Sequence, residues 1–239
     1  MAGLSWQDAI DIIHPYVVKI STPLGFGTGF LFAHSADNSI VAVASAAHVL
    51  SHAHEWQQPI RLYHPSSKKD VFLKEEDRAI VLDSDLDTAA VVFTKPPFPL
   101  PDSLLALAPQ GKRLRQGVNL GWVGFPGFAA HELCFFTGHI SAYLESREIY
   151  LVDGVVINGV SGGPAFIAEK AGGITLAGVI TAYIPNRANG EPLPGLCMVS
   201  DVSQLQIVVE TFKSLDEAKE QETPPAPGSN PPVDPAPGA

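Results

Sequence analysis

Gly159-Val160-Ser161-Gly162-Gly163-Pro164 is the stretch on which the reading of this chain turns. A serine set between glycines suits a nucleophile in a tight turn, where no bulky neighbour blocks an approaching substrate. The backbone N–H groups that such a turn frees can also point at a developing oxyanion. The plainer alternative is a Gly-rich hairpin turn with no chemistry. What lies upstream of the serine separates the two.

Chain order discriminates between hydrolase types. The same stretch satisfies the G-x-S-x-G elbow of α/β-hydrolases, whose acid and histidine follow the serine. All eight histidines (14, 34, 48, 52, 54, 64, 131 and 139) precede Ser161, so that reading has no base. The order Asp, His, Ser of subtilisin can formally be met, but its layered α/β architecture needs helices this sequence lacks. A Cys-His pair fails because only Cys134 has a histidine after it, His139, too close to be a separately placed base. The order left is His, Asp, Ser. His48 lies in Ser45-Ala46-Ala47-His48-Val49-Leu50, directly after the apolar run Ile40–Ala44, so its imidazole emerges from a packed strand end. Asp87 opens Asp87-Thr88-Ala89-Ala90-Val91-Val92-Phe93. A buried acid at the mouth of that strand would accept the imidazole N–H and fix its tautomer. Asp83 and Asp85 stand in the preceding turn and read as solvated turn acids.

Around these residues the texture is β. Ser5 and Asp8 resemble a capping box before Ala9, Ile10 and Ile13, predicting a short helix up to His14 that Pro15 ends. Strands are expected near 16–20, 27–33, 39–45, 60–63, 71–74, 78–83 and 88–94. A Pro-rich connector, Lys95–Gly117, follows. Further strands are expected near 119–123, 133–141, 148–153, 164–167, 174–183 and 196–200. Val202, Leu205, Val208, Val209 and Phe212 share one face of a helix from Asp201 to about Lys213, with Asp201 as its cap. Two runs of about six short strands joined by one connector argue for two small barrels or a sandwich pair.

Composition removes several function classes. The 239 residues carry 15 Lys+Arg against 25 Asp+Glu, a net charge of −10, with no basic stripe to neutralise phosphates, so nucleic acid is not an expected partner. The longest mostly apolar run, Ile174–Ile184, falls far short of the roughly 20 residues that span a bilayer, so no membrane partner is expected either. The first 16 residues have no basic flank, apolar stretch or small-residue cleavage site, and two cysteines make no disulfide framework; a cytoplasmic protein is expected. Cys134 and Cys197 read as buried free thiols, and Trp6, Trp56 and Trp122 as packing residues. His48, His52 and His54 have spacing that a metal site also uses, but no His-Glu-x-x-His and no third ligand accompany them. His52 and His54 are instead expected on a short helix after His48.

SAAHV, DTAAVVF and GVSGGP together resemble the three signatures of trypsin-like (chymotrypsin-fold) serine peptidases. Gly27-Thr28-Gly29-Phe30, Gly121-Trp122-Val123-Gly124-Phe125-Pro126 and Thr137-Gly138-His139-Ile140-Ser141 resemble strands of the HtrA/DegP-type branch. The resemblance covers roughly residues 12–210. It implies an all-β fold of two six-stranded antiparallel β-barrels with short N-terminal and C-terminal helices. The protease domain would span 1–213: a first barrel at about 16–94, the connector 95–117, a second barrel at about 118–200 and the helix 201–213. A disordered Pro-rich tail, 214–239, would follow, too short for a PDZ module.

The activity implied is that of a serine endopeptidase acting on polypeptides, with no cofactor or metal. Ser161 is the implied nucleophile, His48 the base and Asp87 its orienting acid, with the N–H groups of Gly159 and Ser161 as the oxyanion hole. Thr181, Ala182 and Tyr183 match the strand that lines the primary pocket, and Val155, six residues before the nucleophile, its floor. Two departures stand out. Val160 replaces the Asp that trypsin's close relatives use to receive a freed N-terminal amine, and Val156-Ile157-Asn158-Gly159 lacks the Pro-Gly pair usual in the HtrA branch. The irregular segment keeps a second class open, a catalytically silent protease fold that serves as a binding or scaffold module. A protease that cleaves one dedicated partner protein, or itself, is the same enzyme with narrower access.

Overall fold

The computed structural model describes residues 4–94, 96–169, 171–185 and 192–222. Its first element, α1 (Trp6–Ile13), starts as its sequence demands: the Ser5 hydroxyl accepts the Asp8 N–H at 3.2 Å and donates to the Asp8 carboxylate at 2.6 Å. Seven strands follow: β1 (Val17–Thr22), β2 (Gly25–His34), β3 (Ile40–Ala46), β4 (Ile60–His64), β5 (Lys69–Leu73), β6 (Arg78–Asp83) and β7 (Thr88–Thr94). A helix, α2 (Ala47–Glu55), leaves β3 and carries His48, His52 and His54. A short strand, β8 (Ala106–Leu107), lies within the connector, and after it come β9 (Asn119–Gly124), β10 (Cys134–Leu144), β11 (Ile149–Asp153), β12 (Pro164–Ala168), β13 (Ile174–Pro185) and β14 (Pro192–Asp201). The last element is α3 (Ser203–Glu222).

The strands form two sheets, the two-barrel chymotrypsin-like arrangement, with one departure. In the second sheet β12 pairs with both β9 and β13, so β12-β9-β10-β11-β14-β13 closes into a six-stranded barrel with β8 added in parallel to β13. The first sheet runs β5-β4-β1-β2-β3-β7-β6 and is a half-barrel of seven strands, not the closed six-stranded barrel expected. Where a β5–β6 ladder would run, the Arg78 guanidinium intervenes, donating to the carbonyls of Leu73 at 2.8 Å, Gln58 at 2.5 Å and Ala53 at 3.3 Å. Helix α2 packs against β1, β3, β6 and β7, burying Ala47, Leu50 and Ala53.

Helix α1 ties the halves together from outside. Ala9 and Ile13 are buried with the first sheet's core, while Trp6 lies against Phe135 and Phe166 of the second, at centroid separations of 5.3 and 6.1 Å. Trp122 is fully buried, as a packing residue should be, but Trp56 is 69% exposed, its ring set edge-on against that of His52. Cys197 is buried, and burial, with Asp153 nearby, pushes its thiol up to about 12; Cys134 is partly exposed.

The C-terminal helix corrects the expected boundary. It begins at Ser203, whose N–H is capped by Asp201 at 2.9 Å, and buries Leu205 and Phe212 beside the preceding Val202, but it runs on to Glu222. Leu215, Glu217, Ala218 and Lys219 are good helix formers. Beyond the apolar face, Asp216 accepts the Ala36 N–H at 2.9 Å and Lys219 pairs with Asp37 at 3.3 Å, fastening the helix to the β2–β3 turn. The Pro-rich segment lies outside the described residues.

His64 yields a test of this packing. It is 1% exposed and stacked on Phe98, with Nε2 at 2.9 Å from the Pro15 carbonyl and Nδ1 at 2.8 Å from the Ser67 hydroxyl. The carbonyl takes the Nε2 proton, so Nδ1 is left to accept from Ser67 and the ring is neutral. Burial, with the nearby His14 charge, holds its pKa below the ordinary histidine value, against a smaller upward pull from Pro15. The unfolded chain binds that proton near pH 6.5, so this stabilisation is complete above about pH 6.5 and is lost as pH falls through the lower folded value. Urea midpoints measured from pH 7.5 to 5 should fall more steeply for the wild type than for His64→Gln; parallel curves would refute this.

Candidate active site

The site is assembled from both sheets. His48 is the second residue of α2, at the end of a β3 whose last six residues are buried. Residue Ala46 at the helix start has no side-chain oxygen to cap the first turn. Asp87 supplies the cap from across the sheet: its carbonyl accepts the Ala47 N–H at 3.0 Å and its Oδ1 accepts the His48 N–H at 2.9 Å. Its other oxygen, Oδ2, lies 2.7 Å from His48 Nδ1. An ionised carboxylate only accepts, so Nδ1 carries the proton and Nε2 keeps its lone pair. To present the carbonyl and both carboxylate oxygens to one helix start, Asp87 adopts φ +52°, a left-handed conformation that Asp tolerates better than most residues. Its side chain is 32% exposed, not buried as the sequence reading expected, and that of His48 is 50% exposed. Asp83 accepts the N–H groups of Asp85 and Leu86, the local turn role expected of it.

Ser161 stands in the loop before β12, and hydrogen bonds to two strands, β2 and β13, fix that loop. Thr28 N–H of β2 donates to the Ser161 carbonyl at 2.8 Å, Gly162 N–H donates to Ile180 of β13 at 2.6 Å, and Ile180 N–H donates back to Gly163 at 2.9 Å. The Thr28 hydroxyl donates to the Gly159 carbonyl at 2.8 Å and accepts the Phe125 N–H of the β9 end at 3.1 Å. Gly162 has φ +85°, and a Cβ there would lie 2.1 Å from the Thr28 carbonyl, so only glycine fits. The Ser161 hydroxyl donates to the Thr181 carbonyl at 3.4 Å and, among the described residues, makes no hydrogen bond to His48.

The Asn158–Gly159 peptide is oriented by a neighbouring loop. Its carbonyl accepts the Gly127 N–H at 2.7 Å. In a trans peptide the N–H points opposite to the C=O, so the Gly159 N–H faces away from Gly127. Among the described residues neither the Gly159 nor the Ser161 N–H has an acceptor. Val160 is fully buried within the second barrel's core, where it offers no charge.

Two clefts meet at His48 and Ser161. One, of about 240 Å³, is bounded by the β1–β2 turn (Thr22, Leu24, Gly25, Phe26) and by Val49 and His52 of α2. The other, of about 180 Å³, is bounded by Val156, Ile157, Thr181, Ala182 and Tyr183. Asn158 borders both. Thr181 sits at a register shift between Ile180 and Ala182 in the β13–β14 ladder, and such an irregularity re-aims the local backbone. Of the residues singled out in the sequence, His48, Asp87, Ser161, Gly159, Thr181, Ala182 and Tyr183 come together here. Val155 does not: it is 52% exposed and borders neither cleft, because the 155–158 loop turns Val156 and Ile157 inward instead. Sequence reasoning marked Val156, Ile157 and Asn158 only as a departure from the HtrA pattern, missed Gly127, which no motif marks, and saw Thr28 only as part of a strand signature.

The fold is similar to that of the Rv3671c protease from M. tuberculosis in its inactive form, at 18% identity over 89% of this chain and 98% of that one, with a TM-score of 0.60. A serine-to-alanine variant of the same protein is also similar, at 18% identity over 86% and 90% of the two chains and a TM-score of 0.58. The serine endoprotease from Yersinia pestis is 16% identical over 89% of this chain and 68% of its own, with a TM-score of 0.63. No protein-family model matches the chain, and no curated protein matches it by sequence. At such identities the likeness establishes the fold, and the chemistry rests on the residues above.

The cap and the imidazole share one carboxylate, which makes stability a probe of the site. Asp87→Ala removes the acceptor for the His48 N–H and should cost about 1 kcal/mol, in the range of a lost helix cap. Asp87→Asn keeps an oxygen for that N–H and should cost much less. Urea unfolding of both variants checks this; equal losses would mean that the cap is not Asp87.

Proposed function

We propose that this chain is a serine endopeptidase that hydrolyses peptide bonds through an acyl-enzyme, with Ser161, His48 and Asp87 as its triad. The observation that carries the reading is the 2.7 Å contact of His48 Nδ1 with Asp87, on an imidazole that borders both clefts with Ser161. In the proposed reaction a bound peptide draws the Ser161 hydroxyl away from the Thr181 carbonyl, and Oγ attacks the substrate carbonyl carbon as Nε2 takes its proton. The new oxyanion accepts from the Gly159 and Ser161 N–H groups, each worth roughly 3 kcal/mol in comparable enzymes. Collapse breaks the C–N bond, His48 returns the proton to the leaving amine, and an ester remains on Ser161. Water, deprotonated by the same imidazole, then releases the second product and restores the serine. Buried Val160 has no carboxylate for a freed N-terminal amine, which supports an enzyme that needs no such cleavage.

A fluorophosphonate probe tests this directly. Ser161 should be labelled, and Ser161→Ala should lose both labelling and peptide hydrolysis, with turnover falling about 10⁴–10⁶-fold. Asp87→Asn should lose about 10⁴-fold by analogy, through the wrong imidazole tautomer. Full activity in the Ser161→Ala protein would refute the assignment. The resting contact of the Ser161 hydroxyl with Thr181 favours the second reading, a silent protease fold used as a binding or scaffold module. A folded wild-type protein that is neither labelled nor active would decide for it.

The 180 Å³ cleft beside the β13 edge is the proposed seat for the side chain preceding the cleaved bond. Its lining by Val156, Ile157, Ala182 and Tyr183 offers no counter-charge, so burying a Lys, Arg or Glu side chain there would be costly. Val or Leu should therefore dominate that position in a peptide-library profile. A dominant charged residue would sink this pocket assignment and leave the triad standing.

A further inference from the structure

We infer that Thr28, a residue of the first sheet, is the positioning residue that holds the oxyanion-binding turn of the second barrel, an inference that rests on the peptidase reading and extends it. Thr28 is fully buried, so no solvent competes for its polar groups. All of them are committed: N–H to the Ser161 carbonyl at 2.8 Å, carbonyl to the Ser45 hydroxyl at 2.7 Å, and side-chain oxygen to both Gly159 and Phe125. The Phe125 N–H can only donate, so the single hydroxyl proton is left for the Gly159 carbonyl at 2.8 Å. The direction of this relay is thereby fixed.

Its consequence falls on the two peptide units that flank the Gly159 Cα. The Asn158–Gly159 unit is held at its oxygen by Gly127, and the Gly159–Val160 unit at its oxygen by Thr28 and at its nitrogen by the Ile157 carbonyl, 3.0 Å away. Glycine at φ +94° has more freedom to reorient than any other residue, and a turn built on it keeps one shape only while its carbonyls are held. Among the described residues no other donor reaches the Gly159 carbonyl. The same threonine holds the Ser161 carbonyl, two residues on, through its own N–H, while the intervening Val160 carbonyl accepts the Gly163 N–H at 3.0 Å. Thr28 thus pins two of the turn's peptide oxygens, those of Gly159 and Ser161, on units that alternate with the Asn158–Gly159 and Val160–Ser161 units presenting the Gly159 and Ser161 N–H groups, and it reaches across 131 positions of sequence to Gly159.

The test compares Thr28→Val, which keeps shape and the backbone bond but removes the hydroxyl, with Thr28→Ser, which restores it. On the full chain, with a fluorogenic peptide bearing Val or Leu before the cleaved bond, Thr28→Val should lower kcat about 100-fold, the scale of a lost oxyanion donor, with KM nearly unchanged. Thr28→Ser should recover most of that loss. In ¹⁵N-labelled protein the Gly159 amide resonance should move in the Val variant and stay in place in the Ser variant. Wild-type kcat in Thr28→Val, an equal loss in Thr28→Ser, or an effect on KM alone would overturn the inference. Should the Val variant not fold, Thr28→Ala takes its place; failure of both to fold would also overturn it, since the hydroxyl would then hold the fold rather than the turn. If the wild type neither hydrolyses peptide nor labels, the peptidase reading fails, while the amide resonances still decide what Thr28 holds.

Discussion

A buried threonine facing a glycine-rich turn is the contact on which the site depends. His48 and Asp87 belong to the half-barrel, and Ser161, Gly159 and the β13 edge to the closed barrel; neither half carries the constellation alone. No solvent reaches such a seam to replace a lost hydrogen bond, and breaking one strands a buried polar group at a cost of roughly 1–3 kcal/mol. The close approach also dictates composition. A methyl group at Gly162 would meet the Thr28 carbonyl at 2.1 Å, and one at Gly159 the Phe125 carbonyl at 2.3 Å. The glycines around Ser161 answer to the backbones they touch as well as to the substrate they would admit.

The two halves hold their catalytic candidates in different ways. The closed barrel shares every ladder among its six strands, so the Ser161 loop hangs between β12, β13 and the seam with little freedom. The half-barrel leaves an open side that α2 plugs and the Arg78 guanidinium seals. His48 rides on that plug. Its orientation therefore depends on a helix start that Asp87 caps, and the same carboxylate that would tune the imidazole also decides where the helix begins.

Much of this was legible in the sequence, for identifiable reasons. Strands such as 78–83 and 88–94 were read at their observed limits because turn residues bracket runs with strand composition. The positions of His48, Asp87 and Ser161 followed from chain order and flanking small residues. What failed was set by tertiary contact. The end of α3 moved to Glu222 where Asp216 and Lys219 find partners in the β2–β3 turn, a pairing across the chain that no local pattern announces. The two-residue β8 exists only because β13 offers it an edge. Counting back from Ser161 to Val155 assumed a loop of standard path, and the Val156–Asn158 segment takes another. The open first sheet could not be read either, since closure depends on whether two distant edges meet.

The separation of 131 positions between Thr28 and Gly159 also orders the life of the molecule as it is made. A contact of that span forms late, because the chain between its ends must first be gathered. On a ribosome, β1 to β7 can collapse with His48 and Asp87 already paired while the serine turn is still unsynthesised. Any hydrolytic competence would then appear only once the second barrel has been made and has docked. A chain that stops before Ser161 would lack the proposed nucleophile, and the long-range seam would then act as a timer as well as a clamp.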